Sequence, residues 1–224
     1  ESVAVCYDGR LSSPTLEAAV TEGLTQAGVR VLRAGRGPSP MCYFADQHLG
    51  TDAAVMVTGS HNPPDYNGIK MTMLGRAFYG ADIQALGARV SAGDYAEGNG
   101  EIVNASVFDA YVDRLMQGFA GDKDLSVAWD PGNGAAGEVV TALVARLPGR
   151  HTIINGDIDG RFPNHHPDPT VESNLDQLKA AVAEHGCDLG LAFDGDGDRI
   201  GVIDGQGRVL WGDQILVILA RPVL

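Results

Sequence analysis

The strongest constraint on the fold is an alternation of short apolar runs, rich in β-branched residues, with segments of helical periodicity. Strands that alternate in this way with helices predict βαβ units and a largely parallel sheet. In the first part of the chain we predict strands at residues 2–7, 29–33, 53–57 and 69–73, and helices at 14–27, 40–49 and after Gly80. This part is therefore expected to form an α/β unit.

The same alternation starts again after a polar, Gly-rich stretch at residues 92–104. Here we predict strands at residues 125–129, 152–154 and 189–193, and helices at 105–119, 136–147 and 212–220. We expect two consecutive α/β sandwich domains with mixed, mainly parallel sheets, at residues 1–101 and 102–208. Residues 209–224 are expected to open a third domain that this chain lacks. Because a strand begins almost at Glu1, native residues are also expected upstream.

An Asp near a Gly ends three of the predicted strands. The segments are V-A-V-C-Y-D-G at residues 3–9, L-S-V-A-W-D-P-G at 125–132 and L-G-L-A-F-D-G at 189–195. This weak internal repeat collects polar groups at the carboxyl ends of strands, which is the edge where open α/β sheets bind ligands. We therefore expect the loops after Val57 and Phe193 to carry function.

Composition excludes several classes of partner. The net charge is −13 with only 16 Lys and Arg residues, whereas a nucleic-acid surface needs clustered cations. No apolar run approaches the roughly 20 residues that span a bilayer. Cys6, Cys42 and Cys187 are too few and scattered for a disulfide framework, which fits a reducing compartment. We expect a cytoplasmic protein with no nucleic-acid or membrane partner.

Three carboxylates alternate with glycines in F-D-G-D-G-D-R at residues 193–199. The glycines let the backbone curl and turn several oxygen donors toward one point, which suits Mg²⁺ or Ca²⁺. A calcium EF-hand needs Gly at its sixth position and Glu at its twelfth, where Arg199 and Gly205 stand. We predict a metal site, with a solvated acidic turn as the alternative. The predicted ligands are Asp194, Asp196 and Asp198.

A second polar loop, T-G-S-H-N-P-P-D-Y-N-G-I-K at residues 58–70, follows a predicted strand. Its prolines stiffen it and its glycines allow unusual backbone angles, so it can present one hydroxyl rigidly. It is not a G-x-S-x-G hydrolase elbow, because Asn62 stands where Gly is needed, and the chain has no Walker pattern. Ser60 is predicted to be a nucleophile, although a Ser in a turn is more often a local hydrogen-bond partner.

Taken together, the two loops resemble the phosphoserine and metal-binding loops of the α-D-phosphohexomutases, and T-G-S-H-N-P-P resembles their phosphomannomutase/phosphoglucomutase branch. F-P-N-H-H-P-D-P at residues 162–169 and G-N-G-A-A-G at 132–137 also resemble segments of this family. The resemblance implies a phosphoserine at Ser60 that phosphorylates a hexose phosphate. A bisphosphorylated sugar then returns its other phosphate, so that phosphate moves between C1 and C6.

The family also implies one Mg²⁺, held by phosphorylated Ser60 and the three Asp side chains, and activation by glucose 1,6-bisphosphate or a similar compound. It implies hexose phosphates as partners and a monomer or weak oligomer. Family members generally have four domains, so this chain is expected to be a fragment of a longer mutase, and Tyr7 stands where many relatives have Arg.

The predicted site needs further cations. Three carboxylates and a phosphoserine carry about −4.5 to −5, and Mg²⁺ returns only two positive charges. Arg199 is expected to bind phosphate or to pair with an Asp of its loop. Arg10 is expected to bind phosphate or to lie on the surface. Lys70 is the candidate for moving the sugar hydroxyl proton, with a pKa lowered toward neutrality by metal and Arg. His61 is expected to contact phosphate or hold the loop.

Two rival functions remain open. A strand followed by D-x-D also resembles the start of a haloacid dehalogenase-like phosphatase with an Asp nucleophile, but Asp198 stands where those enzymes want Thr or Val. The other rival is a module that binds metal and sugar phosphate without turnover. His165 and His166 lack zinc-site spacing and are predicted to be loop structure. The glycines of residues 132–137 are predicted to allow close strand-helix packing.

Overall fold

A computed structural model of the chain describes residues 1–121 and 123–221. The strands of the first half are β1 Ser2–Tyr7, β2 Arg30–Arg36, β3 Ala53–Val57, β4 Ile69–Met73, β5 Arg76–Ala77 and β6 Ile102–Asn104. Those of the second half are β7 Ser126–Asp130, β8 Arg150–Ile153, β9 Leu189–Phe193, β10 Ile200–Asp204 and β11 Val209–Leu210. The helices are α1 Ser13–Gln26, α2 Ser39–Leu49, α3 Ala81–Ala92, α4 Phe108–Gln117, α5 Gly137–Val144, α6 Asp176–His185 and α7 Gly212–Ala220. A 3₁₀ turn spans Glu172–Leu175.

The strands form two mixed sheets. The first has the order β5-β4-β3-β1-β2-β6 and the second has the order β11-β10-β9-β7-β8. In the first, β1 runs parallel to β2 and β3, and β6 runs parallel to β2, whereas β4 and β5 are antiparallel. In the second, β7 runs parallel to β8 and β9, whereas β10 and β11 are antiparallel. The predicted α/β class with mixed sheets is confirmed.

Helices cover both faces of the first sheet, because successive side chains of a strand point to opposite sides. Ala4 and Cys6 of β1 pack in one apolar cluster with Met41 of α2. Val3 and Val5 of the same strand pack in another cluster with the partly buried Val20 and Leu24 of α1. Burying a side chain of this size stabilises a fold by about 1.5–3 kcal/mol. The second sheet is covered in the same manner by α6 on one face and α5 on the other.

The predicted domain boundary at residue 101 cuts through the first sheet. The strand β6 pairs in parallel with β2, although a polar stretch precedes it. Tyr111 and Val112 of α4 also pack in the cluster that contains Met41. At the other predicted boundary, Val209 and Leu210 pair with β10 and so complete the second sheet. At both predicted boundaries, a short strand pairs with a strand on the other side of the boundary. The local composition of the sequence does not reveal these pairings.

Several elements were not predicted. The strands β5, β6, β10 and β11 are short or lie beside polar turns, and α6 lies in a segment predicted to be a loop. Its Leu178, Ala181 and Val182 are buried at helical spacing, which is the signal that could have revealed it. Within the described residues, no helix has the length and apolar character needed to cross a bilayer.

Candidate active site

Two loops meet at the carboxyl edges of the two sheets. The Ser60 loop, residues 58–68, follows β3, and the Asp loop, residues 194–199, follows β9. Ser60 Oγ donates a hydrogen bond to Asp194 Oδ2 at 3.0 Å. The main chains touch as well, because a Cβ built on Gly195 would lie 2.3 Å from Ser60 O. The structure thus brings the two predicted loops together, and their contact requires glycine at position 195.

Ser60 has a backbone conformation that residues with a side chain rarely adopt. Its φ is +50°, in the left-handed region. Such a conformation costs about 1–3 kcal/mol and persists only where the surroundings hold it. The N–H of Ser60 donates to Thr58 Oγ1 at 2.8 Å, and Thr58 Oγ1 donates to Asp8 Oδ2 at 2.8 Å. The predicted nucleophile is therefore buried and fixed in orientation.

Asp8 ties the Ser60 loop to the end of β1. Its carboxylate is 1% exposed. It accepts hydrogen bonds from Thr58 Oγ1 at 2.8 Å, from Gly59 N at 3.2 Å and from Ser13 Oγ at 2.5 Å. It also accepts from the N–H and the Nε of Arg10. Asp8 was not among the predicted site residues, although the Asp-Gly repeat at strand ends could have identified it.

Arg10 lies inside the protein, which differs from both predictions for it. Its side chain is 0% exposed. Its Nε donates to Asp8 at 3.2 Å, and its two terminal nitrogens donate to four main-chain oxygens of the Ser60 loop at 2.5 to 2.9 Å. An Arg has five N–H groups, so none is left for a substrate phosphate. The predictions of phosphate binding and of a surface turn are therefore both wrong for this structure.

The Asp loop gathers three carboxylates. Asp194, Asp196 and Asp198 each offer an oxygen within 4.8 Å of the others, and they form the one such cluster in residues 1–121 and 123–221. Asp194 Oδ1 accepts the N–H groups of Asp198 at 3.1 Å and Arg199 at 3.0 Å. The bends that bring these groups together are allowed by Gly197, whose φ is +69°. The loop can therefore turn several oxygens toward one point.

Asp196 is oriented by the first sheet. Ser39, at the start of α2, donates its Oγ to Asp196 Oδ2 at 2.5 Å and its N–H to Asp196 O at 2.8 Å. The other oxygen, Oδ1, is buried and has no hydrogen-bond partner among the residues that the structure describes. Buried polar atoms without a partner are rare and need an explanation. A cation at this oxygen supplies one, because three carboxylates form the hard oxygen donor set that Mg²⁺ prefers. Ser39 was missed from the sequence, where it reads only as a helix start.

The carboxylates affect one another's protonation. Burial and the negative charge of Asp196 raise the pKa of Asp194 to about 7. Burial by itself raises the pKa of Asp196 too, but hydrogen bonds from Lys70 and Ser39 outweigh it and lower that pKa. The cluster therefore concentrates more negative charge than its buried surroundings favour, which is the condition under which a cation binds.

Lys70, on β4, lies against the same cluster. Its Nζ donates to Asp196 Oδ2 at 2.6 Å and to Asp198 Oδ2 at 2.7 Å. Burial of the ammonium lowers its pKa, but these two hydrogen bonds and the charges of Asp196 and Asp198 outweigh burial and raise the pKa above its ordinary value. The two carboxylates therefore oppose the lowering that was predicted to come from metal and Arg.

His61 and Arg199 both lie close enough to Asp168 for their charges to affect its pKa. His61 Nδ1 is 3.4 Å from Ser60 Oγ. Arg199 is exposed, and within the described residues its side chain forms no ion pair, so the predicted pairing with an Asp of its loop is not seen. Burial raises the pKa of Asp168, but hydrogen bonds from Thr170 and the charges of His61 and Arg199 outweigh burial, so this pKa lies below its ordinary value.

Two further motifs support the Asp loop from the second sheet. His165 Nε2 lies 2.9 Å from Asp130 Oδ2, and Asp130 Oδ1 accepts from Gly132 N at 2.9 Å, so the histidine pair is loop structure as predicted. A Cβ built on Gly134 would lie 2.8 Å from Gly195 O. The glycines of residues 132–137 thus allow the main chain to approach the Asp loop closely.

Comparison with known proteins identifies the family. Residues 1–97 match the family model described as phosphoglucomutase/phosphomannomutase, alpha/beta/alpha domain I, and residues 109–207 match alpha/beta/alpha domain II. The chain belongs to the phosphoglucomutase/phosphomannomutase family. The resemblance inferred from the two loops is therefore confirmed.

Individual members of the phosphoglucomutase/phosphomannomutase family cover the whole chain. It is 40% identical over 222 residues to the phosphomannomutase/phosphoglucomutase of Pseudomonas aeruginosa PAO1, which is 99% of this chain and 48% of that protein. It is 39% identical over 224 residues to the phosphoglucomutase of Neisseria gonorrhoeae, which is 99% of this chain and 49% of that protein. The chain spans about half the length of the curated relatives it matches.

A solved structure supports the same assignment. A phosphoglucomutase/phosphomannomutase family protein from Burkholderia thailandensis superposes with a TM-score of 0.95 at 41% identity, over 100% of this chain and 51% of that one. Membership of this family does not favour the haloacid dehalogenase-like phosphatase that the Asp loop alone allows.

Proposed function

We propose that this chain carries the phosphoserine and metal-binding part of a phosphohexomutase, which interconverts hexose 1-phosphate and hexose 6-phosphate. The observation that carries the proposal is the hydrogen bond of Ser60 Oγ to Asp194 Oδ2 at 3.0 Å, beside a buried carboxylate oxygen of Asp196 that has no partner. A buried hydroxyl held at a cluster of metal ligands suits a nucleophile that carries a phosphoryl group. The names of the relatives, phosphomannomutase and phosphoglucomutase, supply the substrate class.

The transfer occurs in two steps. In the first, the bond between phosphorus and Ser60 Oγ breaks, and a bond forms between phosphorus and a hydroxyl oxygen of the hexose phosphate. In the second, Ser60 Oγ accepts the other phosphoryl group of the bisphosphorylated sugar, and the isomeric monophosphate remains. Each step exchanges one phosphorus–oxygen bond for another. In the first step the sugar hydroxyl loses a proton and the released Ser60 Oγ gains one; in the second, Ser60 Oγ loses that proton and the released sugar oxygen gains one. Lys70 is our candidate for that proton transfer.

Asp194, Asp196 and Asp198 would hold Mg²⁺, together with an oxygen of phosphorylated Ser60. When bound, the ion supplies Lewis-acid stabilisation of the charge that develops on the transferring group. The residues of the chain contribute orientation, since the Ser60 loop fixes Oγ and Ser39 fixes Asp196. Arg199 and His61 are our candidates for contacts to the phosphate, because Arg199 is an exposed cation next to the Asp loop and His61 Nδ1 lies 3.4 Å from Ser60 Oγ. The residues that read the sugar are not assigned.

The setting of the reaction is part of the proposal. The cysteines Cys6, Cys42 and Cys187 are buried and free, which suits the reducing cytoplasm. The partners are hexose phosphates, with glucose 1,6-bisphosphate or a similar compound as the activator that first phosphorylates Ser60. We propose a monomer or a weak oligomer.

The proposal is tested by incubating the chain with glucose 1,6-bisphosphate and Mg²⁺ and mapping any added phosphoryl group by mass spectrometry. We expect one phosphoryl group on Ser60, which is lost in Ser60→Ala and when Mg²⁺ is chelated. The matched control is Ser12→Ala, which removes an exposed serine hydroxyl near the same loop. It should leave labelling unchanged.

Two results would contradict the proposal. Phosphate on Asp194 would show a phosphatase-like nucleophile. Absence of label from every residue, with Mg²⁺ bound, would leave a module that binds metal and sugar phosphate without turnover.

A further inference from the structure

Four carbonyl groups of the Ser60 loop converge on one guanidinium group. Arg10 Nη2 donates to Ser60 O and Asn62 O, both at 2.7 Å. Arg10 Nη1 donates to Pro63 O at 2.5 Å and to Tyr66 O at 2.9 Å. Converging carbonyl oxygens present the negative ends of four dipoles, so a buried cation is needed to hold them together. The loop therefore takes its shape from a residue that lies fifty positions earlier in the chain.

A lysine could not do the same. Its ammonium carries three donors on one atom, whereas the planar guanidinium spreads five donors over three nitrogens. Here the fifth donor, Nε, is fixed by Asp8 Oδ2 at 3.2 Å. The loop also approaches the guanidinium closely, since a Cβ built on Gly59 would lie 2.5 Å from Arg10 Cζ. The planar arrangement of the guanidinium donors of Arg10, and not its positive charge alone, sets the path of the Ser60 loop.

The second sheet's unit covers the other side of the guanidinium. Arg10 Cζ lies 5.2 Å from the ring centroid of Phe162, within the range of a cation–π contact. Phe162 is buried, and its φ of +50° is in the left-handed region, as it is for Ser60. A Cβ built on Gly160 would lie 2.6 Å from Gly9 O. Two strained residues, one from each unit, thus flank the same side chain.

We propose that Arg10 is a positioning residue for phosphoryl transfer: under the cover of Phe162, it fixes the main chain at Ser60 so that Oγ is held at the Asp loop. The inference rests on the proposed function. It assigns Arg10 no contact with substrate, because its donors are all used within the protein. Its effect is on the orientation of Oγ, to which transfer rates are sensitive, since a displacement of about 1 Å can cost about 100-fold.

The test compares Arg10→Lys with the wild-type chain in the rate at which glucose 1,6-bisphosphate phosphorylates Ser60. We expect the maximal rate to fall by about 10- to 100-fold. The half-saturating concentration of the bisphosphate should change by less than about threefold, because no substrate contact is lost. The matched control is Arg36→Lys, an exposed arginine at the end of β2 that forms an ion pair with Glu138. It should label at the wild-type rate.

Hydrogen exchange separates a positioning role from a general loss of folding. The N–H groups of Ser60, Asn62 and Tyr66, which form hydrogen bonds within the loop, should exchange faster in Arg10→Lys, while those of β1 stay protected. Phe162→Leu keeps all five hydrogen bonds of Arg10 and should give the same pattern with a smaller loss of rate. It also provides the test if Arg10→Lys does not fold.

The outcomes of this test and those of the proposed function are distinct. Wild-type labelling rates in both variants would overturn the positioning role, as would a loss confined to the half-saturating concentration. If the wild-type chain is not labelled at all, the proposed function fails. The exchange rates then decide: unchanged protection of the loop in both variants would overturn the inference as well.

Discussion

The strands of the two sheets are arranged in a corresponding order, but the loops that follow corresponding strands differ in charge. One loop surrounds a buried cation, and the other gathers carboxylates. In each sheet the order runs from two antiparallel strands through a parallel set, and the Ser60 loop and the Asp loop follow the corresponding strands β3 and β9. A buried cation, Arg10, binds the carbonyl groups of the Ser60 loop. The Asp loop instead gathers three carboxylates. The same scaffold position thus serves either to fix a hydroxyl or to concentrate negative charge.

This difference predicts that buried acids on the two sides behave differently. Asp8 accepts hydrogen bonds from five donors, so its charge is fully compensated. Asp194 lies beside two other carboxylates, so its charge is opposed. Negative charge stabilises the fold at Asp8, whereas at Asp194 it is opposed by its neighbours and, in our proposal, serves to bind a cation.

The largest expected effect on stability is that of Asp8→Asn. The amide nitrogen of the new Asn side chain would face hydrogen-bond donors, which it cannot accept from. The buried charge of Arg10 would also lose its negatively charged partner. We expect the free energy of unfolding to fall by about 3–5 kcal/mol. Asp194→Asn should change it by less than about 1 kcal/mol, since it removes like-charge repulsion, but should weaken Mg²⁺ binding strongly. Urea denaturation in the presence of a chelator measures the free energy of unfolding, and calorimetric titration measures the affinity for Mg²⁺. Equal destabilisation would contradict the comparison.

The contact between the loops is tested by Gly195→Ala. The new Cβ would lie 2.3 Å from Ser60 O, a main-chain atom that cannot move away easily. We expect Ser60 phosphorylation by glucose 1,6-bisphosphate to slow by about 100-fold, because the hydroxyl is displaced from the Asp loop. The control is Gly23→Ala, within α1 and with open space around it. It should stabilise the chain by about 0.5–1 kcal/mol and leave labelling unchanged. Normal labelling of Gly195→Ala would show that the contact is dispensable.

The contribution of the first sheet to the metal site is tested by Ser39→Ala. Loss of the 2.5 Å hydrogen bond to Asp196 Oδ2 should weaken Mg²⁺ binding by about tenfold, the lower end of the range for groups that orient ligands. The main-chain bond from Ser39 N to Asp196 O remains, which limits the effect. Calorimetric titration provides the measurement, with Ser12→Ala as the control. An unchanged affinity would mean that the Asp loop orients its own ligands.

The smallest expected effect is on the pH dependence of stability, through the pair of His165 and Asp130. Burial lowers the pKa of His165, but its hydrogen bond to Asp130 outweighs burial and raises the pKa. A group whose folded pKa is raised adds stability that is present below its unfolded pKa, about 6.5 for His, and is lost as pH rises through the folded pKa. The difference in unfolding free energy between wild type and His165→Gln should therefore shrink from about pH 5.5 to 8.5. If the difference in unfolding free energy stays constant over this pH range, the pair of His165 and Asp130 has no role in the pH dependence of stability.

The sequence was most informative where one residue type has one physical use. Glycines between Asp194, Asp196 and Asp198 indicate a curled acidic loop, and the structure brings these carboxylates together. The strands β1, β3, β4 and β9 were predicted with the bounds that the structure has, because each is a short apolar run between turn residues. Ser60 was placed beside the Asp loop by the rule that ligands gather at the carboxyl edges of strands.

Contacts between distant parts of the chain were not predictable in this way. The sequence does not show that Arg10 turns inward, because its partners are main-chain carbonyl groups, which every residue has. Nor does it show that β6 pairs with β2 across the predicted boundary. The contact of Lys70 with two carboxylates more than one hundred positions away, which opposes the predicted lowering of its pKa, is likewise not visible in the neighbouring sequence.

The left-handed backbone of Ser60 sets the stability of its loop against the reactivity that we propose for its hydroxyl. Glycine adopts a φ of +50° without steric cost, so it is the residue that would stabilise the loop most at this position. Glycine, however, has no hydroxyl to carry a phosphoryl group. Ser60→Gly is therefore expected to keep the fold and relieve the backbone strain, while it removes the hydroxyl to which we assign phosphoryl transfer.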